Sequence, residues 1–565
     1  MPATPQIGEN IALDEIIKAS EVLSTFDEIE HIEEVDESTI LVTILKKQFL
    51  FLIPDANERD SAVYVLLYND DGLDFPHIML KDFKGFSSWP PGGYRWVCLY
   101  DGIDIVYSIM SYSEKIIDAT NRLIELLTWT EAEKEREFQK EFLFYWNNCS
   151  SSTPICYIFL RNPDHFSRMD IFYGRGSARI IEPEISLSDL ENRDDKGARI
   201  WVRHVEEDIY YIPLTDLREI LPPHRGYEWT PTEIKNIIYA PQIEHISKDS
   251  LKEIKATIPK TQNIILVFGL EQYGITFSIR LICSFEKSHS LFEKILFDCT
   301  SVEPLRTYRK DYQYMNLQIG NDPKLQDKQI LLIGAGSLGS YVGFELVKNG
   351  ASKIKIYDED KLEDANILRW AFCGIGRYDY KTTNLSFFLN SLHPEVQAEG
   401  INKNITVDTL RDEASKADLI IFTIGNSDQQ LKFNRVLKEM NCSVPTIFTW
   451  LEAGGNYSHL LLINYQNAGC FECLYTDSNG NSINNRSTIE SLNIEESMIR
   501  NGCGGTRAAY GTATILRTTS ALLNLIKDTF GNDIHHNILI DITPDSVRIS
   551  NTKFPEEACS CCGNK

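Results

Sequence analysis

The sequence predicts an α/β multidomain protein, and three observations carry that prediction. At 565 residues the chain exceeds what one hydrophobic core supports, so it divides into roughly three or four domains. From about Asp311 onward, apolar strand-like runs alternate with helical patterns, as βαβ units around a parallel sheet do. In that half, Ile330-Leu331-Leu332-Ile333 runs directly into Gly334-Ala335-Gly336-Ser337-Leu338-Gly339 and a helix ending near Asn349-Gly350. That is a Rossmann-like strand–glycine turn–helix unit.

Upstream the pattern is different. The first unit, residues 1–148, has β-like runs at Ile40–Leu45, Ala62–Tyr68 and Arg95–Tyr100, with the proline-glycine stretch Trp89-Pro90-Pro91-Gly92-Gly93 before the last. Ser111 and Glu114 have capping-box spacing and predict a helix start, with Ile116, Ile117, Leu123, Ile124 and Leu127 as its apolar stripe. Glu131 to Gln139 reads as a charged helical face. The middle region, 149–308, mixes strands and short helices, with apolar runs at Ile200-Trp201-Val202 and Asn263–Phe268. Cys156 and Cys283 lie in apolar runs and are expected to be buried. The alternating unit spans 309–565.

Composition narrows the partners. Lys plus Arg number 56 and Asp plus Glu 81, a net charge of −25, which gives no general attraction to nucleic acid or anionic membranes. No apolar run approaches the roughly 20 residues that span a bilayer. Met1-Pro2-Ala3-Thr4-Pro5 lacks the basic start and apolar core of a secretory signal, so a cytoplasmic location is expected. The 13 cysteines then read as reduced thiols rather than a disulfide framework.

At the glycine turn, the backbone at Gly334, Gly336, Ser337 and Gly339 can approach phosphates, and the helix N-terminus favours their charge. The next strand, Lys353–Tyr357, ends at Asp358, whose carboxylate is suited to a ribose hydroxyl. So far a dehydrogenase fits almost as well. Downstream, Asp358-Glu359-Asp360 leads to Asn366-Ile367-Leu368-Arg369 and to Lys381. Cations beside the phosphates suit attack on an α-phosphate with departure of pyrophosphate, because negative charge accumulates there.

This order, Asp-x-Asp, Asn-x-x-Arg and then a lysine, resembles the signature of the ubiquitin-activating and ThiF/MoeB adenylation superfamily. The resemblance implies that Asp358 holds the ribose, with Asp360 beside it. Asn366, Arg369 and Lys381 hold the triphosphate of ATP, and an upstream arginine, Arg306 or Arg309, reaches the nucleotide. The family carries a Mg2+-binding aspartate after the next apolar strand. Here Leu419–Phe422 leads to Gly425-Asn426-Ser427-Asp428, with glycine at that place and Asp428 as the nearest substitute.

Cys470-x-x-Cys473 and Cys559-x-x-Cys562 have the spacing of a four-thiolate structural Zn2+ site. The superfamily closes its adenylation domain with such a pair. Cys561 is a spare thiol that can replace Cys559 or Cys562. Cys503, in Gly502-Cys503-Gly504, is glycine-flanked as an exposed nucleophile would be. It resembles in position the thioester cysteine of activating enzymes.

Strands, a proline-rich loop, Cys98 and a following long helix resemble an α+β ubiquitin-conjugating domain, although the His-Pro-Asn motif of such domains is missing. The whole order resembles the bacterial activating/conjugating fusion proteins of CBASS anti-phage operons. That implies a conjugating-like domain at 1–148, an α/β linker domain at 149–308, and an adenylation domain at 309–565 that pairs as a homodimer. It further implies a protein substrate with an exposed C-terminus, such as a cGAS-like nucleotidyltransferase. This substrate passes from adenylate to Cys503, to Cys98, and to a target lysine amine. Rival readings are an activating enzyme for a ubiquitin-like or sulfur-carrier protein, and a degenerate nucleotide-binding scaffold.

Overall fold

The computed structural model describes the chain outside residues 1–12, 37, 54–61, 69–77, 83–94, 101–108, 189, 191–198, 225–226, 241, 285–288, 322, 373–378, 453, 490–497, 501–505, 509, 532–535, 551–553 and 564–565. The chain forms two compact units. One comprises residues 1–158, 162–183 and 202–309; the other comprises 159–161, 184–201 and 310–565.

The first unit contains two separate sheets. Its N-terminal sheet is antiparallel, in the order Ile29–Asp36, Thr39–Ile44, Lys47–Leu52, Tyr64–Leu67, Arg95–Val97, Ile78–Asp82. Alternate inward residues Val42, Phe49, Val65 and Val97 pack on Ile116 and Leu123 of the helix Tyr112–Thr128, as period-2 and period-3.6 patterns require. That helix starts where expected: the Ser111 hydroxyl accepts from Glu114 N, and the Glu114 carboxylate accepts from Ser111 N. The proline-glycine stretch 89–93 lies outside the described residues.

The middle strands close into a seven-stranded barrel in the order Val202–Pro213, Asn263–Leu270, Ile275–Cys283, Cys299–Arg309, Ser151–Phe159, Ser177–Ile181, Ser167–Gly174. Closure removes exposed sheet edges. In the apolar run at 200–202, Ile200 and Val202 are exposed, and the buried part of the strand Val202–Pro213 is the later stretch from Asp208 to Pro213. One expectation fails here: Cys283 is only partly buried, because it sits at the end of its strand facing Cys299. Cys156 is buried as expected.

In the second unit an eight-stranded sheet runs Gln397–Ile401, Lys353–Tyr357, Gln329–Ile333, Leu419–Phe422, Thr446–Leu451, Ser458–Ile463, Ile538–Ile542, Val547–Ile549. The first five strands are parallel, and the last three join antiparallel. The sheet is therefore mixed, where βαβ alternation alone predicts a parallel one. Ile330, Leu332, Ile354 and Ile356 point to one face and pack under the helices Ser337–Lys348 and Lys381–Leu392. Leu331, Ile333, Ile420 and Phe422 point to the other. Among the described residues no helix is long and apolar enough to cross a membrane.

The glycine turn occupies the C-terminal edge of the parallel strands, where open α/β sheets place ligands. Gly334 has φ +107°, a conformation that side chains rarely adopt. A Cβ on Gly339 would lie 2.0 Å from the Gly334 carbonyl oxygen, whereas one on Gly336 meets nothing within 4 Å. Gly339→Ala is therefore expected to destabilise this unit by about 2–3 kcal/mol. Thermal melts should show Gly336→Ala unchanged beside it.

Candidate functional site

The strand Gln329–Ile333 delivers the chain into the turn, and the Gly334 amide donates to the Tyr357 carbonyl of the neighbouring strand, 2.8 Å away. That bond brings the ends of the two strands side by side, which sets Asp358 under the loop. One Asp358 oxygen accepts from the Ala335 amide at 2.7 Å, and the other accepts from the Asp360 amide at 2.8 Å. Burial pushes the Asp358 carboxyl above its ordinary value, opposed by the Lys381 ammonium and these two amides. Each oxygen keeps a lone pair for a further donor.

Lys381 opens the helix Lys381–Leu392, and its amide donates to the Asp360 carbonyl. Its ammonium pairs with the Asp360 carboxylate at 2.7 Å and is almost fully buried. Glycine turn, Asp358, Asp360 and Lys381 thus form one connected group.

Asn366 and Arg369 share the 3-10 helix Asp364–Arg369, and the Asn366 side chain accepts from the Glu363 amide. The next residue, Trp370, is buried and donates from Nε1 to the Ala335 carbonyl at 2.8 Å. That indole ties the Arg369 segment to the glycine turn. Arg369 Nη1 lies 3.5 Å from the Tyr510 hydroxyl, and its guanidinium carbon is 5.5 Å from the Tyr510 ring centre. Its Nε is buried with no hydrogen-bond partner among the described residues. A buried cationic donor left orphaned costs about 1–3 kcal/mol or more; an anionic acceptor relieves that cost.

Thr423 closes the turn from the next strand, its hydroxyl donating to the Gly334 carbonyl at 2.9 Å. Gly425 follows at the surface, and a Cβ built on it meets no atom within 4 Å. Asp428 stands exposed on the first turn of the helix Ser427–Glu439, and Asn426 caps that helix through the Gln429 amide. No contact joins Asp428 to the residues around the glycine turn among those described.

The upstream arginines belong to the other unit. Arg306 donates to the Asn147 carbonyl, and Arg309 is buried in an ion pair with Glu271.

The four cysteines predicted to hold a metal converge, with their sulfurs all within 4.8 Å of one another. Cys470 and Cys559 sulfurs are 3.8 Å apart, and those of Cys473 and Cys562 are 3.3 Å apart. A tetrahedral zinc with Zn–S bonds of about 2.3 Å separates its sulfurs by about 3.8 Å. The donor set and its spacing therefore fit the ion. Glu472, inside the first clip, accepts from Ser560 inside the second and pairs with Arg435 at 2.6 Å. Cys561 is not one of these four and accepts from the Asn434 side chain.

On the strand Ser458–Ile463, His459 is fully buried between Asp541 and Glu452, at 2.7 and 2.6 Å from its two ring nitrogens. Glu452 also accepts from the Ile489 amide. Burial pulls the imidazole pKa down, but the hydrogen bonds from Asp541 and Glu452 outweigh it and raise it above the ordinary value. The stabilisation is thus fully present below about pH 6.5, the unfolded value, and is lost as pH rises through the folded pKa. Thermal melts from pH 6.5 to 9 should show wild-type Tm falling further than that of His459→Gln.

Cys98 follows the strand Arg95–Val97 and is partly buried, its thiol 3.7 Å from the Tyr100 carbonyl. The strand is shorter than the expected Arg95–Tyr100. Cys503 lies outside the described residues. Sequence reasoning missed Trp370, Thr423 and Tyr510, whose partners are distant along the chain.

A ThiF family model matches residues 308–561. The ATP-dependent ubiquitin transferase-like protein Cap2 of Escherichia coli is 23% identical over 425 residues, covering 68% of this chain and 69% of that protein. Ubiquitin-like modifier-activating enzyme 5 of Dictyostelium discoideum is 26% identical, covering 28% of this chain and 44% of the enzyme. The chain therefore spans less than half of that relative's length. The sulfur carrier protein ThiS adenylyltransferase of Escherichia coli is 23% identical, over 30% of this chain and 67% of that protein. A solved structure of E. coli MccB with ATP has a TM-score of 0.34 at 19% identity, covering 44% of this chain and 69% of that one.

Proposed function

We propose, from the premise that this chain is an E1-like protein of the ThiF/MoeB superfamily, that it adenylates the C-terminus of a partner protein and passes it on as a thioester. The single observation that carries this reading is the convergence on the glycine turn of Asp358, the Asp360–Lys381 pair and Arg369 with its orphaned Nε. A dehydrogenase has no use for such cations beside a pyrophosphate.

In the proposed reaction the partner's terminal carboxylate attacks the α-phosphorus of ATP, and pyrophosphate leaves. Asp358 holds the ribose. The amides of the turn, with Asn366, Arg369 and Lys381, hold the triphosphate and offset its growing charge. The Cys503 thiolate then attacks the acyl carbon and expels AMP, forming the first thioester. In the conjugating-like reading of residues 1–148, the Cys98 thiolate attacks that thioester and releases Cys503, and a target lysine amine finally forms an amide. Zinc held by Cys470, Cys473, Cys559 and Cys562 would tie the C-terminal segment to the unit and take no part in the chemistry. The activating unit is proposed to work as a homodimer. The favoured substrate is a cGAS-like nucleotidyltransferase in anti-phage defence, with a ubiquitin-like or sulfur-carrier protein as the alternative.

The test is ATP–pyrophosphate exchange dependent on a candidate partner. Exchange should persist in Cys503→Ala while a reducible adduct disappears, and Cys98→Ala should abolish only the final conjugate. No exchange with any partner overturns the enzyme reading.

Gly425 favours a second reading, a scaffold that binds nucleotide without turning it over. The open space at Gly425 lets the two be separated. Gly425→Asp is expected to fold normally and to raise exchange about tenfold at limiting Mg2+, by supplying a hard oxygen ligand. Wild type and Gly425→Asp both binding ATP without exchange would establish the scaffold.

A further inference from the structure

Tyr510 stands out among the residues that the proposed chemistry leaves unused. It precedes the long helix Thr512–Gly531, and its ring packs against the core of the second unit. The start of that helix is pinned: Thr514 donates to the Gly455 carbonyl, and the Thr518 and Ser458 hydroxyls meet at 2.6 Å. Tyr510 is thus a fixed platform. Arg369 lies over it, with its guanidinium carbon 5.5 Å from the ring centre, inside cation–π range. The Tyr510 hydroxyl to Nη1 distance of 3.5 Å is too long to carry much hydrogen-bond energy, so the ring face does most of the holding.

The backbone of Arg369 is fixed separately, through the neighbouring indole of Trp370 on the Ala335 carbonyl. A long arginine side chain on a fixed backbone still has several rotamers to lose when it engages a ligand. The aromatic platform selects among them, and it does so without occupying Nε, which is buried with no partner among the described residues. This is how a donor is kept oriented for an acceptor that arrives later.

We propose that Tyr510 is a positioning residue for the nucleotide site, orienting the Arg369 guanidinium for the β- and γ-phosphates of ATP before they bind. The inference rests on the reading of Arg369 as a triphosphate ligand.

The experiment measures binding of MgATP and of AMP to the full chain by calorimetry, for wild type, Tyr510→Phe, Tyr510→Leu, Arg369→Ala and the double variant Arg369→Ala/Tyr510→Leu. Tyr510→Phe should lie within about threefold of wild type, because the ring is kept. Tyr510→Leu should raise the MgATP Kd about tenfold, which corresponds to about 1.4 kcal/mol, and leave the AMP Kd within about twofold. In the Arg369→Ala background, Tyr510→Leu should add nothing. A Tyr510→Leu chain that binds MgATP like wild type overturns the inference. So does one that loses MgATP and AMP equally, which is what a merely structural role gives. Wild type binding neither nucleotide would instead remove the reading of the site on which the inference rests.

Discussion

Arg369→Ala is expected to lower partner-dependent ATP–pyrophosphate exchange by about 10²–10³-fold, the cost of removing one preorganised donor from a site of developing negative charge. The chain should still fold. Trp370, not Arg369, anchors this segment to the glycine turn through the Ala335 carbonyl, and Arg369 has a buried nitrogen with no partner among the described residues. Removing it therefore relieves an unfavourable burial while destroying function. Thermal melts should show Arg369→Ala at least as stable as wild type. Arg369→Lys should recover little, because an ammonium cannot reproduce a planar guanidinium on an aromatic face. Wild-type exchange in Arg369→Ala would sink the assignment of this residue to the phosphates.

The second large effect is expected at the cysteine cluster. Cys473→Ser should lower the stability of the second unit by about 4 kcal/mol or more, in the range where loss of a metal site is a recognised cause. For a unit of this size that is a drop in Tm of about 10 °C. Bound zinc, read by metal analysis of the purified chain, should fall from about one per chain to near zero. Cys561→Ser is the control: its sulfur lies outside the four-thiol group and accepts from Asn434, so metal content and Tm should stay close to wild type. If Cys473→Ser keeps both, the cluster is four packed thiols and the metal reading fails.

Several features of this fold and site could be read along the chain because they are local. The turn Gly334–Gly339 joins a strand and a helix that are adjacent in sequence, and Asp358 ends the very next strand. Asn366 and Arg369 fall on one short helix, and Ser111 with Glu114 form the capping box their spacing predicts. The failures have equally physical causes. Barrel closure depends on pairings such as Asn263–Leu270 beside Val202–Pro213, parallel and distant in sequence, which no local period encodes. The outward position of Cys283 follows from where its strand ends, not from its apolar neighbours.

The sequence by itself determined that a phosphate-binding turn, a ribose-type carboxylate, two cations and two cysteine clips are present. Each of these is fixed by residue types at short, regular spacing. Only the tertiary structure decided which of the clustered cysteines come together, and that Gly425 has open space where a side chain would go. It also paired Arg369 with Tyr510, residues 141 positions apart. Such contacts come from strands and helices packing across a shared core, so the partner of a side chain is set by the whole sheet rather than by its neighbours in the chain. The role proposed for Arg369 rests on the sequence pattern, and the way it is held ready rests on the fold.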